Sequence, residues 1–450
     1  LDLLTADFLA REQMVKKIEG IFRLFGFSPV ETPIIEFVKT LSGETSDTGK
    51  HIFYISNAGE NTDESLAMRF DHTVPLARLL AANPYEPKAR TGIRLPWRRM
   101  VYGPVFRGEK PQNGRYRQFY QFDADIAGTD SMLADAEIVA MMHETMKALG
   151  VENFIIKINN RKILSGLAEL VGITDRGQIS KDDLTKEMMR ILDKIDKIGM
   201  EKVLEELVAK PEHETHASPN LSKEASLKIK EFLSIDGDNI ERLARCRKVF
   251  VGVKIAEEGI NELAEILENL KAIGVLETAI QINFSIARGL DYYTGPVMET
   301  TLTDASEFGS VFSGGRYNNL VSRFTGQDLP AVGASIGVDR LFAALDHLKK
   351  LDKTKETVTE AMILRLSPNQ DALYLKMATE LRSAGISTEI CLLDDTTFKN
   401  QFNFAISKNV DFIVIAGEDE IKKGVVQVKN LKTREQEEVK KEELKDWFSK

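Results

Sequence analysis

The stretch "GPVFRGEKPQNGRYRQFYQFDADIAG", residues 103–128, reads as two strands joined by a turn. Arg107 ends the first strand and "PQNG" makes the turn. Along the second strand Arg115, Arg117, Phe119, Gln121, Asp123 and Asp125 alternate, so a period of two places them on one face. A face of that composition is a polar floor, not a dry core. Guanidinium groups there can hold a phosphate, an aromatic ring can carry a base, and carboxylates can bind an amine or an imidazole. Taken alone, the same residues also describe a solvent-facing strand of paired charges, so the surrounding chain has to decide.

Working outward, "LAREQMVKKIEGIFRLFGF" has apolar residues at helical spacing and closes at Gly26, and "ADAEIVAMMHETMKALG" is a helix ending at Gly150. "SPVETPIIEF" holds Pro29 and Pro33 and reads as an extended edge strand. "HIFYIS", "SLAMRFD" and "NFIIKIN" are further strands, and the sum predicts an α+β domain built on an antiparallel sheet. From 164 to 278 the sequence turns charged and helix-forming, as in "LTKEMMRILDKIDKIGMEKVLEELVAK", which predicts a helical insertion. Strands resume at 279 with "LETAIQINFSI" and "YYTGPVMETTL". Between them "ARGLDYYTGPVMET", 287–300, puts Arg288 at a strand end beside Tyr292 and Tyr293.

"SGGRYNNLVSRFTGQDLPAVGASIGVDRLFAAL", 313–345, allows close backbone approach at Gly314 and Gly315. It then passes from a strand into a helix with Arg340 in its first turns, a plausible anion site. "MRFDHTVP", 68–75, sets Asp71 and Thr73 just before a helix, where their plain role is an N-cap. A charged linker at 349–357 leads into 358–450, where strand and helix patterns alternate as in a small α/β domain.

At 450 residues the chain exceeds one core, and with 43% hydrophobic and 29% charged residues it has an ordinary soluble composition. It holds no apolar run of 18 residues, so no membrane partner is expected. Cys246 and Cys391 are its two cysteines, too few for a disulfide framework or a cysteine-ligated zinc, and a cytoplasmic location is expected. The net charge of -9 argues against nucleic-acid binding through bulk positive charge. Yet Arg90, Arg94, Arg98, Arg99, Arg107, Lys110, Arg115 and Arg117 face a single acid, Glu109, between 90 and 117, which implies something anionic to hold there. His213 and His216 in "HETH" read as solvent-exposed, so no protein-ligated metal site is assigned. The Lys- and Glu-rich tail after 431 reads as a solvated helix face.

In this order, and with a helical insertion between the first and second, "GPVFRGEKPQNGRYRQFYQFDADIAG", "RGLDYYTGPVME" and "SGGRYNNL...PAVGASIGVDRL" closely resemble the histidyl-tRNA synthetases, class II aminoacyl-tRNA synthetases. The resemblance covers nearly the whole chain, with "GFSPVETPIIE" as the first class II motif. It implies a class II catalytic domain over 1–163 and 279–348, a helical insertion over 164–278 and an anticodon-binding α/β domain over 358–450. It also implies a start at "LDLLTADF" that is shortened or altered.

The implied reaction is ATP-dependent ligation of histidine to its cognate tRNA through an adenylate, with Mg²⁺ and a homodimer whose interface lies near Pro33. By resemblance Arg107 holds the α-phosphate of ATP, Arg340 the γ-phosphate, Glu109 meets the adenine amino group, Phe119 stacks on the ring, Arg115 joins the ATP site, and Arg288 is the catalytic arginine. The substrate amine falls to Asp71, Thr73 and Gln121, and the imidazole to Asp125 and Tyr293, with Tyr292 and Tyr317 nearby. Lys399 and Gln401 are the anticodon contacts the resemblance suggests. The main rival is a regulatory subunit of ATP phosphoribosyltransferase, which keeps the fold but usually lacks the C-terminal domain and degrades the ATP-binding arginines.

Overall fold

The structure, a computed structural model, describes residues 2–42, 51–55, 65–110, 114–210, 218–287 and 292–448. Arg288, His213, His216 and the "PQN" of the turn lie outside the described residues. The chain forms two compact units, one of residues 14–350 and one of residues 1–13 with 351–450.

The strands of the larger unit are β1 (Ser28–Pro29), β2 (Ile35–Phe37), β3 (Tyr54–Ile55), β4 (Leu66–Met68), β5 (Trp97–Phe106) and β6 (Gln118–Ala127). They continue with β7 (Phe154–Asn160), β8 (Ile280–Ile282), β9 (Pro296–Leu302), β10 (Ser310–Tyr317) and β11 (Ala331–Gly337). Eight of them form one sheet in the order β1-β5-β6-β11-β10-β9-β7-β8. Its outermost pairs, β1 with β5 and β7 with β8, are parallel and the rest antiparallel. "SPVETPIIEF" is therefore two short pieces in different sheets, since β2 pairs with β4, which also pairs with β3. "LETAIQINFSI" shortens to the three residues of β8.

The two faces of the large sheet differ as the alternation requires. Met100, Phe122, Ala124, Ile126, Ala334 and Ile336 are all buried on one. The ring of Phe22, late in the helix Thr5–Leu24, meets that of Phe122 edge-on at 4.8 Å. The helix Met132–Ala148 is buried along most of its length, is capped by Ser131, whose side chain accepts from Leu133, and ends before Gly150 at φ 73°. The other face carries the polar side chains.

Between β7 and β8 the described residues are helical from Arg161–Leu170 to Lys254–Ile273. The starts are written locally: Asn160, Ser180 and Ser222 each cap with a side-chain oxygen, and Asp238 makes a capping box with Glu241. Gly166 sits where a Cβ would lie 2.6 Å from Ala256 Cβ, so the helices Arg161–Leu170 and Lys254–Ile273 pack closely there.

The smaller unit holds β12 (Ala361–Leu364), β13 (Thr388–Ile390), β14 (Phe412–Ile415), β15 (Val425–Asn430) and β16 (Gln436–Lys440), ordered β13-β12-β14-β15-β16. The tail expected to be a helix face is in part a strand: β16 pairs antiparallel with β15, and a 3-10 turn, Lys441–Glu443, and a short helix, Leu444–Phe448, follow it. Gln401 is also corrected. It is fully buried, accepting from Arg365 N at 2.7 Å and donating to Arg365 O at 2.8 Å, which leaves neither amide atom for RNA.

Candidate active site

The polar face of β6 begins later than the sequence suggests, because Arg115 and Arg117 precede the strand. From there the register builds the site. Across β6, Arg99 of β5 and Gly333 of β11 stand opposite Asp125, Val101 and Ser335 stand opposite Asp123, and Gly103 and Gly337 stand opposite Gln121. Directly opposed residues share a face, so these three rows are three layers of one floor. Gly333 is required in its layer: a Cβ there would lie 2.0 Å from Asp125 Oδ1.

Above the floor lies a cavity of about 310 Å³. Of the expected site residues, Asp71, Thr73, Arg107, Glu109, Arg115, Phe119, Gln121, Tyr292, Tyr293 and Arg340 line it. Asp125 and Tyr317 do not. Asp125 is instead held by Arg99, whose Nη2 is 2.8 Å from Oδ2, and by Tyr317, whose hydroxyl donates to Oδ1 at 2.6 Å. All three of those side chains are buried. Asp125 thus sits behind the cavity wall, its Oδ2 in an ion pair with Arg99 but without a hydrogen bond. Asp123, two residues earlier on the same face, does line the wall.

The two aspartates share the same two largest influences. Burial raises both, and Arg99 opposes the rise in both; for Asp125 the Tyr317 hydroxyl opposes it further. Asp123 is pushed up to about 7 by burial, with Asp125 and Asp71 adding to the rise and Arg99 and the Ser335 hydroxyl working against it. Asp71 is likewise raised by burial, offset by the Val74 amide that its Oδ1 accepts at 3.1 Å and by Arg107. Burial raises the phenols of Tyr292 and Tyr293 too, so both stay protonated donors at neutral pH.

Gln121 is the informative amide. Its Nε2 donates to Ser335 Oγ at 2.8 Å, while its Oε1 is buried with no hydrogen-bond partner. A buried acceptor left unmade is expensive, and a ligand donor would satisfy it. Nearby, Tyr292 OH reaches Asp71 Oδ2 at 3.5 Å. Asp71, Thr73 and Gln121 thus offer oxygens suited to an ammonium group.

The cationic side of the wall includes Arg107, the residue after β5, and Arg340 of the helix Val338–His347. The Arg107 guanidinium lies 4.3 Å from the centre of the Phe70 ring and 5.1 Å from that of Phe119, and its Nε donates to Phe70 O at 3.3 Å. Arg340 stands in the helix's first turn and donates from Nη1 to Ser310 O at 2.7 Å. Three arginines, Arg107, Arg115 and Arg340, and the Phe119 ring in one cavity suit a nucleotide's phosphates and base.

Sequence reasoning assigned no role to Ser335 or Glu299, both on the wall. Ser335 had a signal in the strand pattern of "GASIG", but its partner across the sheet is set by a fold that local pattern does not contain.

The geometry agrees with comparisons to known proteins. The family model described as histidyl-tRNA synthetase matches residues 1–341, and that described as anticodon binding domain matches 360–450. A histidine–tRNA ligase of Rhodopirellula baltica is 39% identical over 438 residues, 97% of this chain and 93% of its own. The crystal structure of histidyl-tRNA synthetase from Nostoc sp. PCC 7120 superposes with a TM-score of 0.79 at 30% identity, covering 99% of this chain and 97% of its own. A Bacillus halodurans structure described as an ATP phosphoribosyltransferase regulatory subunit/histidyl-tRNA synthetase shares the fold at 20% identity, with a TM-score of 0.71 over 92% of this chain and 96% of its own. With models matching nearly its whole length, the chain belongs to the histidyl-tRNA synthetase family, which charges tRNA with histidine, and it ends in an anticodon-binding domain.

Proposed function

We propose that the cavity on the β6 floor activates histidine and then transfers it to tRNA. The observation that carries this assignment is the buried, donorless Oε1 of Gln121 in a wall that also holds Asp71, Thr73, Arg107 and Arg340. The substrate ammonium completes the Gln121 oxygen and meets Asp71 and Thr73. The imidazole takes Asp123 as its carboxylate partner and a tyrosine hydroxyl, from Tyr292 or Tyr293, on its other nitrogen. ATP lies with its phosphates on Arg107 and Arg340 and its base against Phe119, near Glu109 and Arg115.

The histidine carboxylate attacks the α-phosphorus, forming the histidyl-adenylate and releasing pyrophosphate. A terminal ribose hydroxyl of the tRNA then attacks the acyl carbon and AMP leaves. Charge grows on the phosphoryl oxygens in the first step, where fixed guanidinium groups stabilise it. Arg288, outside the described residues, is assigned the catalytic share of this work on the sequence resemblance. Among the described residues no cluster of three or more His, Cys, Asp or Glu side chains could hold a metal ion, so magnesium is proposed to arrive on ATP as part of the substrate.

The helical segment 164–278 is proposed to contact the acceptor arm, and 358–450 the anticodon. There Phe398 is exposed at the start of the helix Phe398–Ser407, stacked 5.4 Å from Phe402 beside exposed Lys399, which offers a ring face and a charge to an unpaired base. Exposed Ile34, Ile35, Phe37 and Tyr54 around Pro33 support a homodimer, and the cytoplasm remains the proposed location. Intact Arg107 and Arg340, with the C-terminal domain present, favour a ligase over a regulatory subunit. Exchange of labelled pyrophosphate into ATP should require histidine and not proceed with leucine, and charging should require tRNA; exchange at equal rates with both amino acids would refute the assignment.

A further inference from the structure

Three polar groups on the floor form a chain with a direction. Gln121 Nε2 donates to Ser335 Oγ, and Ser335 Oγ donates to Asp123 Oδ1. A serine hydroxyl carries one proton. Because that proton goes to Asp123, the hydroxyl has only lone pairs to offer Gln121. The amide must then turn its NH₂ toward Ser335 and its oxygen away, and that oxygen is the one buried without a donor.

We propose that Ser335 is a positioning residue that couples the two halves of the histidine site, its single proton fixing the Gln121 amide so that an acceptor faces the substrate ammonium whenever Asp123 is a carboxylate. The proposal rests on the assignment of histidine to this cavity. Were Asp123 to carry a proton and donate it, the relay would reverse. Ser335 would donate to the Gln121 oxygen, and the amide would present NH₂ to an ammonium, donor against donor. The charged state of the imidazole's partner thereby sets the polarity of the amine's partner.

The groups bearing on Asp123 hold this relay near its turning point. Arg69 and Arg99 favour the carboxylate, while Asp71 and Asp125 oppose it; the Tyr293 phenol also faces it, and the Ser335 hydroxyl stabilises the carboxylate directly. Asp123, pushed up to about 7, is therefore close enough to neutrality for the relay to be read in both directions. Ser335 touches Asp123 and Gln121 without being a core residue, so its removal need not disturb the fold.

The test compares two ligands that differ only at the amine, L-histidine and imidazolepropionate, by calorimetric titration of the intact protein at pH 8. Ser335→Ala frees the Gln121 amide and also takes a donor from Asp123, a loss both ligands feel, so histidine binding should weaken about tenfold more than imidazolepropionate binding, as expected for the further loss of one hydrogen bond to a charged group. Ser335→Thr keeps the hydroxyl and should recover most of the histidine affinity. Equal weakening of both ligands, unchanged histidine binding in the Ala variant, or a Thr variant as weak as Ala would each overturn the relay. Gln121→Ala separates the two ideas: if it leaves histidine binding intact, the assignment of the amine site falls and the relay with it, whereas a large loss there with a null result at Ser335 removes the relay alone.

Discussion

Replacing Arg99 with methionine should destabilise the larger unit, and the size of the loss should depend on pH in a definite direction. Arg99 is 2% exposed, pairs with Asp125 at 2.8 Å and donates to His72 O at 3.2 Å. Its removal leaves Asp125 buried with the Tyr317 hydroxyl as its remaining hydrogen bond. Breaking a buried pair from one side costs about 3–5 kcal/mol, mostly the uncompensated charge left behind. The carboxylate can escape part of that cost by binding a proton. Its folded value already stands above the usual one because of burial, with Arg99 the chief force holding it down. Without Arg99 it rises further, and so does that of Asp123, which Arg99 also lowers.

A carboxyl raised in the folded state binds more protons folded than unfolded, so it subtracts stability as pH increases. The variant's deficit should therefore be smaller at pH 5.5 than at pH 8, changing by up to about 1.4 kcal/mol per pH unit for one group across the window between its folded and unfolded values. Adding Asp125→Asn to the methionine variant should return most of the loss at pH 8. Urea unfolding followed by tryptophan fluorescence can read this: with Trp447→Phe, Trp97 on β5 becomes the sole tryptophan of the chain and reports on the larger unit. A deficit that grows as pH falls, or one below about 1 kcal/mol at pH 8, would refute the view that Arg99 exists to balance Asp125.

Three further outcomes are expected. Arg288→His should slow single-turnover adenylate formation by roughly 10² to 10³, the range for loss of one donor to a developing charge, while ATP binding changes far less; a near-normal rate in a folded variant would return Arg288 to an ordinary strand end. The KM for histidine should rise as pH falls through about 7, where Asp123 takes up its proton, and Asp123→Asn should flatten that part of the profile, so an unchanged profile in the Asn variant would exclude Asp123 as its source. Phe398→Ala should raise the KM for tRNA about tenfold without altering histidine-dependent pyrophosphate exchange, and an equal fall in both activities would show that the ring does not serve tRNA.

What could be read from the sequence followed from local rules. Alternation along "QFDAD" put Gln121, Asp123 and Asp125 on one face because strand side chains repeat every two residues whatever the neighbours are. Gly26 and Gly150 closed helices at positive φ, as their backbone freedom allows. The misreadings were non-local. The "REQEEVK" tail suits a solvated helix by composition, yet pairing with β15 makes Gln436–Lys440 a strand. The resemblance of its segment suggests Gln401 as an RNA contact, but the backbone of Arg365 is bonded to both ends of its amide. "SPVETPIIEF" looks continuous because nothing within it shows that its two ends join different sheets.

The choice between Asp123 and Asp125 shows why such a site resists sequence reading. The two residues have the same side chain on the same strand face, two positions apart. They differ in what the neighbouring strands set opposite them: an arginine and a glycine for Asp125, a valine and a serine for Asp123. The arginine pairs with one carboxylate and offsets part of its burial, and the glycine leaves room for it. The valine and serine leave the other without an ion pair directly opposite it, pushed up to about 7 chiefly by burial, and with an open side toward the cavity. A slip of one residue in either pairing would turn those partners to the far side of the sheet, where Phe122 and Ala124 pack. The different surroundings of the two aspartates are thus a property of strand register, and they are complete only once β11 has joined the β5–β6 pair from more than 200 residues further along the chain.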